Sequence, residues 1–144
     1  MSVCPSIDIV LHPNEIALCH VFSVLLSGTW MARDNDHISY MDTGDQFEWS
    51  EGSIDTLDAV LGKLALSVVE LQPAGLVLTW PSPLTGGMFS VFPKTQTLAI
   101  WPTINRRTLS SSPRWTDYTW YLEHVVPLLE DSGFLIERID SQDY

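Results

Sequence analysis

Apolar and polar positions along the chain follow two rhythms, short runs suited to strands and three-and-four steps suited to helices. Residues 7–11 predict a short strand, stopped at His12-Pro13. Asn14 can then cap a helix, because its side-chain oxygen takes an orphan amide of the first turn. That helix is predicted to run to about Ser27, with Gly28 as its stop. It is apolar on most sides, as a helix buried between layers would be. Residues 29–33 and 37–41 predict two strands around Asp34-Asn35-Asp36, where Asx side chains bond their own backbone and tolerate positive φ. Residues 46–49 suggest a third short strand.

The clearest element is a helix capped by Ser53, with Ile54, Leu57, Leu61, Leu64, Val68 and Leu71 at alternating three- and four-residue steps. Pro73 and Gly75 end it. Three strands follow, residues 76–80, 88–92 and 97–101, each met at once by Pro81, Pro93 or Pro102, which cannot donate to a ladder. Short connections, Gly86-Gly87 and Lys94-Thr95 among them, favour an antiparallel meander. Residues 105–113 are polar and read as a loop. A last helix begins near Ser112 or Thr116 and turns Trp115, Tyr118, Leu122, Val125 and Val126 toward a core. Pro127 predicts a kink or break in it, Gly133 ends it in a positive-φ cap, and residues 134–139 form a final strand. The order β-α-β-β-(β)-α-β-β-β-α-β predicts one α+β domain over residues 1–144. Its sheet is mixed or mainly antiparallel, with about six to eight short strands packed by three helices.

Composition narrows the function classes. The 144 residues are 45% hydrophobic, enough for a packed core, yet 18 acids face 7 bases and leave a net charge of −11. Such a chain repels nucleic acid and anionic lipid, so neither is an expected partner. The first ten residues lack a basic, apolar and cleavable export pattern, and the longest strongly apolar stretch, residues 16–26, is too short for a bilayer. The expected location is therefore the cytoplasm, with Cys4 and Cys19 as reduced thiols.

Catalytic patterns are missing. Gly86-Gly87 lacks the other glycines and the lysine of a phosphate loop, and no serine sits in a nucleophile elbow. Cys19 and His20 are adjacent, and adjacent helical side chains point about 100° apart. The four histidines lack metal-ligand spacing, and Asp34-Asn35-Asp36 fails as a calcium loop because Ile38 and Ser39 fall where a ligand and a glycine belong. Glu48 with Glu51, or Asp55 with Asp58, could pair as acid and base, but no group to hold an electrophile accompanies them. No enzyme activity, metal or cofactor is expected.

Charge placement is the distinctive feature. Between Asp34 and Gly62 the chain carries Asp34, Asp36, Asp42, Asp45, Glu48, Glu51, Asp55 and Asp58 and no lysine or arginine. Ile38, Tyr40, Met41, Phe47 and Trp49 are interleaved, so alternation would send the acids to a single face. That face serves solubility or docks a basic partner, steered by the carboxylates and anchored by aromatics such as Trp30, Tyr40 and Trp49. The predicted contact set is Asp34, Asp36, Tyr40, Asp42, Asp45, Glu48, Trp49, Glu51, Asp55 and Asp58.

In these respects, a small, acidic, Trp-rich α+β chain with an acidic segment and no catalytic constellation, the sequence resembles the immunity proteins of bacterial polymorphic-toxin and interbacterial-competition systems. The resemblance implies a cytoplasmic protein that binds a cognate toxin, often a basic nuclease, and blocks its active site by stoichiometric contact. Two other classes remain open. An adaptor or chaperone for a secreted effector would carry a large apolar groove and bind with weak salt dependence. A small enzyme would have a deep pocket with a perturbed titrating group.

Overall fold

The structure, a computed structural model, describes residues 3–13, 17–42 and 48–144. Seven strands form one antiparallel sheet: β1 (Pro5–His12), β2 (His37–Met41), β3 (Ser50–Ser53), β4 (Ala74–Pro81), β5 (Leu84–Phe92), β6 (Thr97–Ile104) and β7 (Leu135–Asp143). Their spatial order is β3-β2-β4-β5-β6-β1-β7. Three α-helices, α1 (Val21–Leu26), α2 (Leu57–Val69) and α3 (Tyr118–Asp131), complete a single α+β domain.

Register explains why one face is a core. Ile7 pairs with Ile100, Ile100 with Phe89, Phe89 with Leu76 and Leu76 with Tyr40, so one row of large side chains crosses five strands. These residues pack with Phe22 and Leu25 of α1, Val60, Leu64 and Val68 of α2, and Tyr121, Val125 and Leu129 of α3. Leu64 is fully buried, as its helical spacing predicts. Trp30 lies at the centre with its rings edge-on to Trp80 and Phe89, and its indole N–H donates to the His124 carbonyl at 2.8 Å.

Both longer helices end in the same hydrogen-bonded cap. After α3, Gly133 (φ 96°) lets the Phe134 amide reach the Leu129 carbonyl at 3.0 Å. After α2 the equivalent position is Leu71, at φ 63°, with the Gln72 amide bonding the Ser67 carbonyl at 2.7 Å. A leucine there bears the left-handed strain that glycine avoids.

Several local expectations are corrected. The described part of the first helical region is a 3-10 turn, Leu18–His20, followed by the short α1, and Asn14 lies outside the described residues. Residues 29–33 do not form a strand: the outer edge of β4 is shared, with β2 at Gly75 and Leu76 and a single bridge from Met31 at Thr79. The third short strand is Ser50–Ser53, beyond the predicted residues 46–49, of which 46 and 47 lie outside the described set. A 3-10 turn, Ile54–Thr56, precedes α2, and Ser53 caps neither. Gly75 belongs to β4, and Gly86-Gly87 lie inside β5. A Cβ on Gly86 would stand 2.1 Å from the Leu78 carbonyl oxygen, and one on Gly87 1.9 Å from that of Trp101. The two glycines therefore permit close strand approach at the bulge between Gly86 and Met88. The β4–β5 turn is Ser82-Pro83, joined by a cis peptide.

Pro102 does not end β6, which loses no bond to β1 there because that pairing stops at Ile100. α3 starts at Tyr118, capped by Asp117, and runs through Pro127 without a break. Both Pro127 and Glu123, whose carbonyl it leaves unbonded, are exposed to water. Trp115 lies outside the core, 43% exposed.

Candidate functional site

All three helices pack on one face of the sheet, and the opposite face, free of helix among the described residues, holds the most distinctive surface. Alternation places Val77, Met88 and Trp101 there as one row, and Phe92, Thr97, Val10 and Arg138 as another. Between them runs Met41–Gly75–Ser90–Ala99–Asp8–Asp140, one residue from each of six strands. Gly75, Ser90 and Ala99 are small, so this middle row forms the floor of a groove crossing the strands. Its span is about 24 Å at the usual ~4.8 Å strand spacing. Phe92 and Trp101 lean over the floor, their ring centroids 6.3 Å apart, and divide it in two.

The first half is apolar, a cavity of about 190 Å³ lined by Met41, Trp49, Met88, Ser90, Phe92 and Trp101. Trp49 reaches it because Gly75 has no side chain: a Cβ on that glycine would stand 2.8 Å from the tip of the indole. The second half, about 440 Å³, is mixed, with Asp8, Thr95, Thr97, Arg138 and Asp140 beside Val10, Phe92 and Trp101. Burial, and then the charge of Asp140 directly opposite, push the Asp8 carboxyl above its ordinary value, an effect tempered by Arg138. Arg138 Nε donates to Asp140 Oδ2 at 2.8 Å.

The predicted contact residues divide among three places. Trp49 lines the groove; Glu48 precedes it in the chain, exposed, and Asp42 follows Met41, its carbonyl accepting the Ser67 hydroxyl of α2 at 2.7 Å. Glu51 projects on the same face, opposite Ser39, with its Oε1 3.5 Å from His37 Nε2. Asp34 and Asp36 occupy the turn before β2, where Arg33 pairs with Asp36 at 3.3 Å and Asn35 adopts φ 57°. Asp55, bonded by the Ser53 hydroxyl, and Asp58 lie in the helix layer at the start of α2, where acids favour the helix dipole. Tyr40 faces the helices, with Lys63 Nζ 5.8 Å from its ring centroid. Asp45 lies outside the described residues. The acids therefore wrap the β2–β3 edge and do not share one strand face, because β2 itself (HISYM) contains none of them. Trp30, a sequence candidate for an anchor, is a core residue.

Sequence reasoning missed Met88, Phe92 and Trp101. The available signal was the run from Met88 to Phe92, apolar at both alternating sets except Ser90, which marks a strand apolar on both faces.

A second network ties down the end of the chain. The Thr116 amide and hydroxyl donate to Asp143 at 2.8 and 2.6 Å, and the Tyr118 hydroxyl donates to it at 2.8 Å. Burial would raise the Asp143 carboxyl, but these bonds and the charge of Arg106 hold it below its ordinary value. Burial and the Asp143 carboxylate push the Tyr118 phenol up to about 12.

Cys4 and Cys19 are unbonded to each other. Among the described residues no three His, Cys, Asp or Glu side chains converge as metal ligands, and no helix is long and apolar enough to cross a membrane. Compared with known proteins, the chain matches no family model, no curated protein and no solved structure.

Proposed function

We propose that the chain is a non-catalytic binding protein of the cytoplasm, an immunity protein that neutralises a cognate antibacterial toxin by stoichiometric contact. The toxin expected is a basic, nuclease-like effector. One observation carries the reading: an aromatic and methionine-lined groove lies on the face opposite the described helices, and its Trp49 end adjoins the acidic β2–β3 edge, where Glu51 projects on the same face. Exposed aromatics beside carboxylates suit a basic protein surface, with charge setting the approach and Trp49 the short-range contact. The test begins with a pull-down from the native cells at low and high salt. One dominant basic partner, released by salt, toxic when expressed without this chain and harmless when expressed with it, supports the proposal. A partner without toxicity defeats it.

The apolar lining of the groove favours a second reading, an adaptor or chaperone for a secreted effector. Capture that ignores salt and survives joint neutralisation of Asp42, Asp45, Glu48 and Glu51 favours that reading over the first.

A further inference from the structure

We propose that β7 pairs antiparallel with β7 of a second copy about a two-fold axis at Ile139, giving a homodimer with one continuous sheet. The sheet has unequal edges: β3 is four residues long, whereas β7 is nine and mostly exposed. A long edge with unpaired amides and carbonyls templates strand addition unless it is blocked. Part of β7 is blocked. Its register against β1 shifts between the positions of Val10 and Leu11, leaving Glu137 unpaired there, and at the other end the Gln142 carbonyl accepts the Tyr118 hydroxyl. Between these limits lie residues 138–141, with Ile139 among them.

Side-chain chemistry selects Ile139 as the centre. Antiparallel pairing about Ile139 sets Arg138 against Asp140 of the second copy, twice, on the helix-free face, and sets Ile139 against itself on the helix side. Ile139 is 38% exposed in the single chain, so this contact would cover it. The neighbouring registers that keep both helix layers on one side are centred on Arg138 or Asp140, and each brings two like charges face to face. Opposite charges directly across a strand pair stabilise it and like charges destabilise it. Of the net charge of −11, each β7 brings −2 to the contact, Glu137, Asp140 and Asp143 against Arg138. Much of the rest lies around β3, at the far edge of the sheet and about 29 Å away at ~4.8 Å per strand, well beyond the ~8 Å Debye length of physiological salt. Dimerisation through β7 also leaves the Trp49 end of both grooves open.

Sedimentation of the full chain over a concentration series into the sub-millimolar range tests this, with circular dichroism checking that each variant is folded. The wild type should form a dimer. Arg138→Asp and Asp140→Arg should each raise the dimer Kd by about tenfold or more, since two attractions become two repulsions. The double swap Arg138→Asp/Asp140→Arg should return it to within a few-fold of wild type, because the opposite charges face each other again. A wild type that stays monomeric throughout overturns the proposal, as does a dimer unaffected by either single change.

Discussion

The two faces of the sheet are built from similar residues and end in opposite states. On the helix side Ile7, Leu76, Phe89 and Ile100 are all but inaccessible, and three helices seal them. On the other side Met88, Phe92 and Trp101 remain half-buried and Trp49 is exposed, and these side chains cover the small residues of the floor, Gly75, Ser90 and Ala99, without a helix above them among the described residues. Folding energetics account for the first face, since buried apolar area is the main favourable term. They account for only part of the second, where Met41 and Val77 are also nearly inaccessible but Met88, Phe92, Trp101 and Trp49 keep apolar surface against water. That water-facing apolar surface is what the proposed partner would cover.

That contrast makes the consequences of substitution differ by face. Leu64→Ala, on the covered side, should cost about 2–5 kcal/mol, the range for truncating a large buried aliphatic side chain. Urea unfolding reads it as a lower midpoint at unchanged slope. The caps that hold the helix layer come next. Gly133→Val should cost about 1–2 kcal/mol, because a β-branched residue must then adopt φ near 96°. Leu71→Gly should stabilise by up to about 1 kcal/mol in the same assay, by relieving the strain at φ 63°.

Titration provides a subtler test of the helix side. The folded Tyr118 phenol lies above its ordinary 10.0, at about 12, so its contribution is complete below pH 10 and is lost as the pH rises toward 12. The Asp143 carboxyl is held below 3.8, so its contribution is present above that pH and is lost as the pH falls through the folded value. Tyr118→Phe should remove the alkaline loss and Asp143→Asn the acid one, each seen as a flatter profile of unfolding midpoint against pH.

The smallest stability effect belongs to the open face. Gly75→Ala puts a Cβ 2.8 Å from the tip of the Trp49 indole and 3.0 Å from Ser90 Oγ, and both side chains can turn aside, so the cost should stay at or below about 1 kcal/mol. Binding should nevertheless weaken, because the indole leaves the groove.

The fold was legible wherever a local pattern decides the outcome. The alternation of β1, the Asx turn before β2, the glycine cap of α3 and the middle of the α2 stripe follow from neighbours within a few residues, whereas the ends of that stripe, Ile54 and Leu71, lie outside the helix and are exposed. Gly86 and Gly87 were misleading because their reason is contact with distant backbone, that of Leu78 and Trp101. Pro102 misled for a related reason: whether a missing amide matters depends on which strands lie alongside. The candidate site was half legible. Composition locates the acids, and Trp49 with them, but which face lacks a helix is a property of the assembled sheet. Three predicted helices for seven or so strands hinted that one face would stay uncovered.

Binding at the open face is read by comparing three forms of the chain as bait in native cells: wild type, Trp49→Ser/Trp101→Ser, and the variant with Asp42, Asp45, Glu48 and Glu51 neutralised. All three are first checked for folding by their unfolding midpoints. The account predicts one dominant basic partner on the wild type, weakened by salt and lost from both variants. Equal retention of that partner by all three folded forms would place its contact elsewhere and contradict the account.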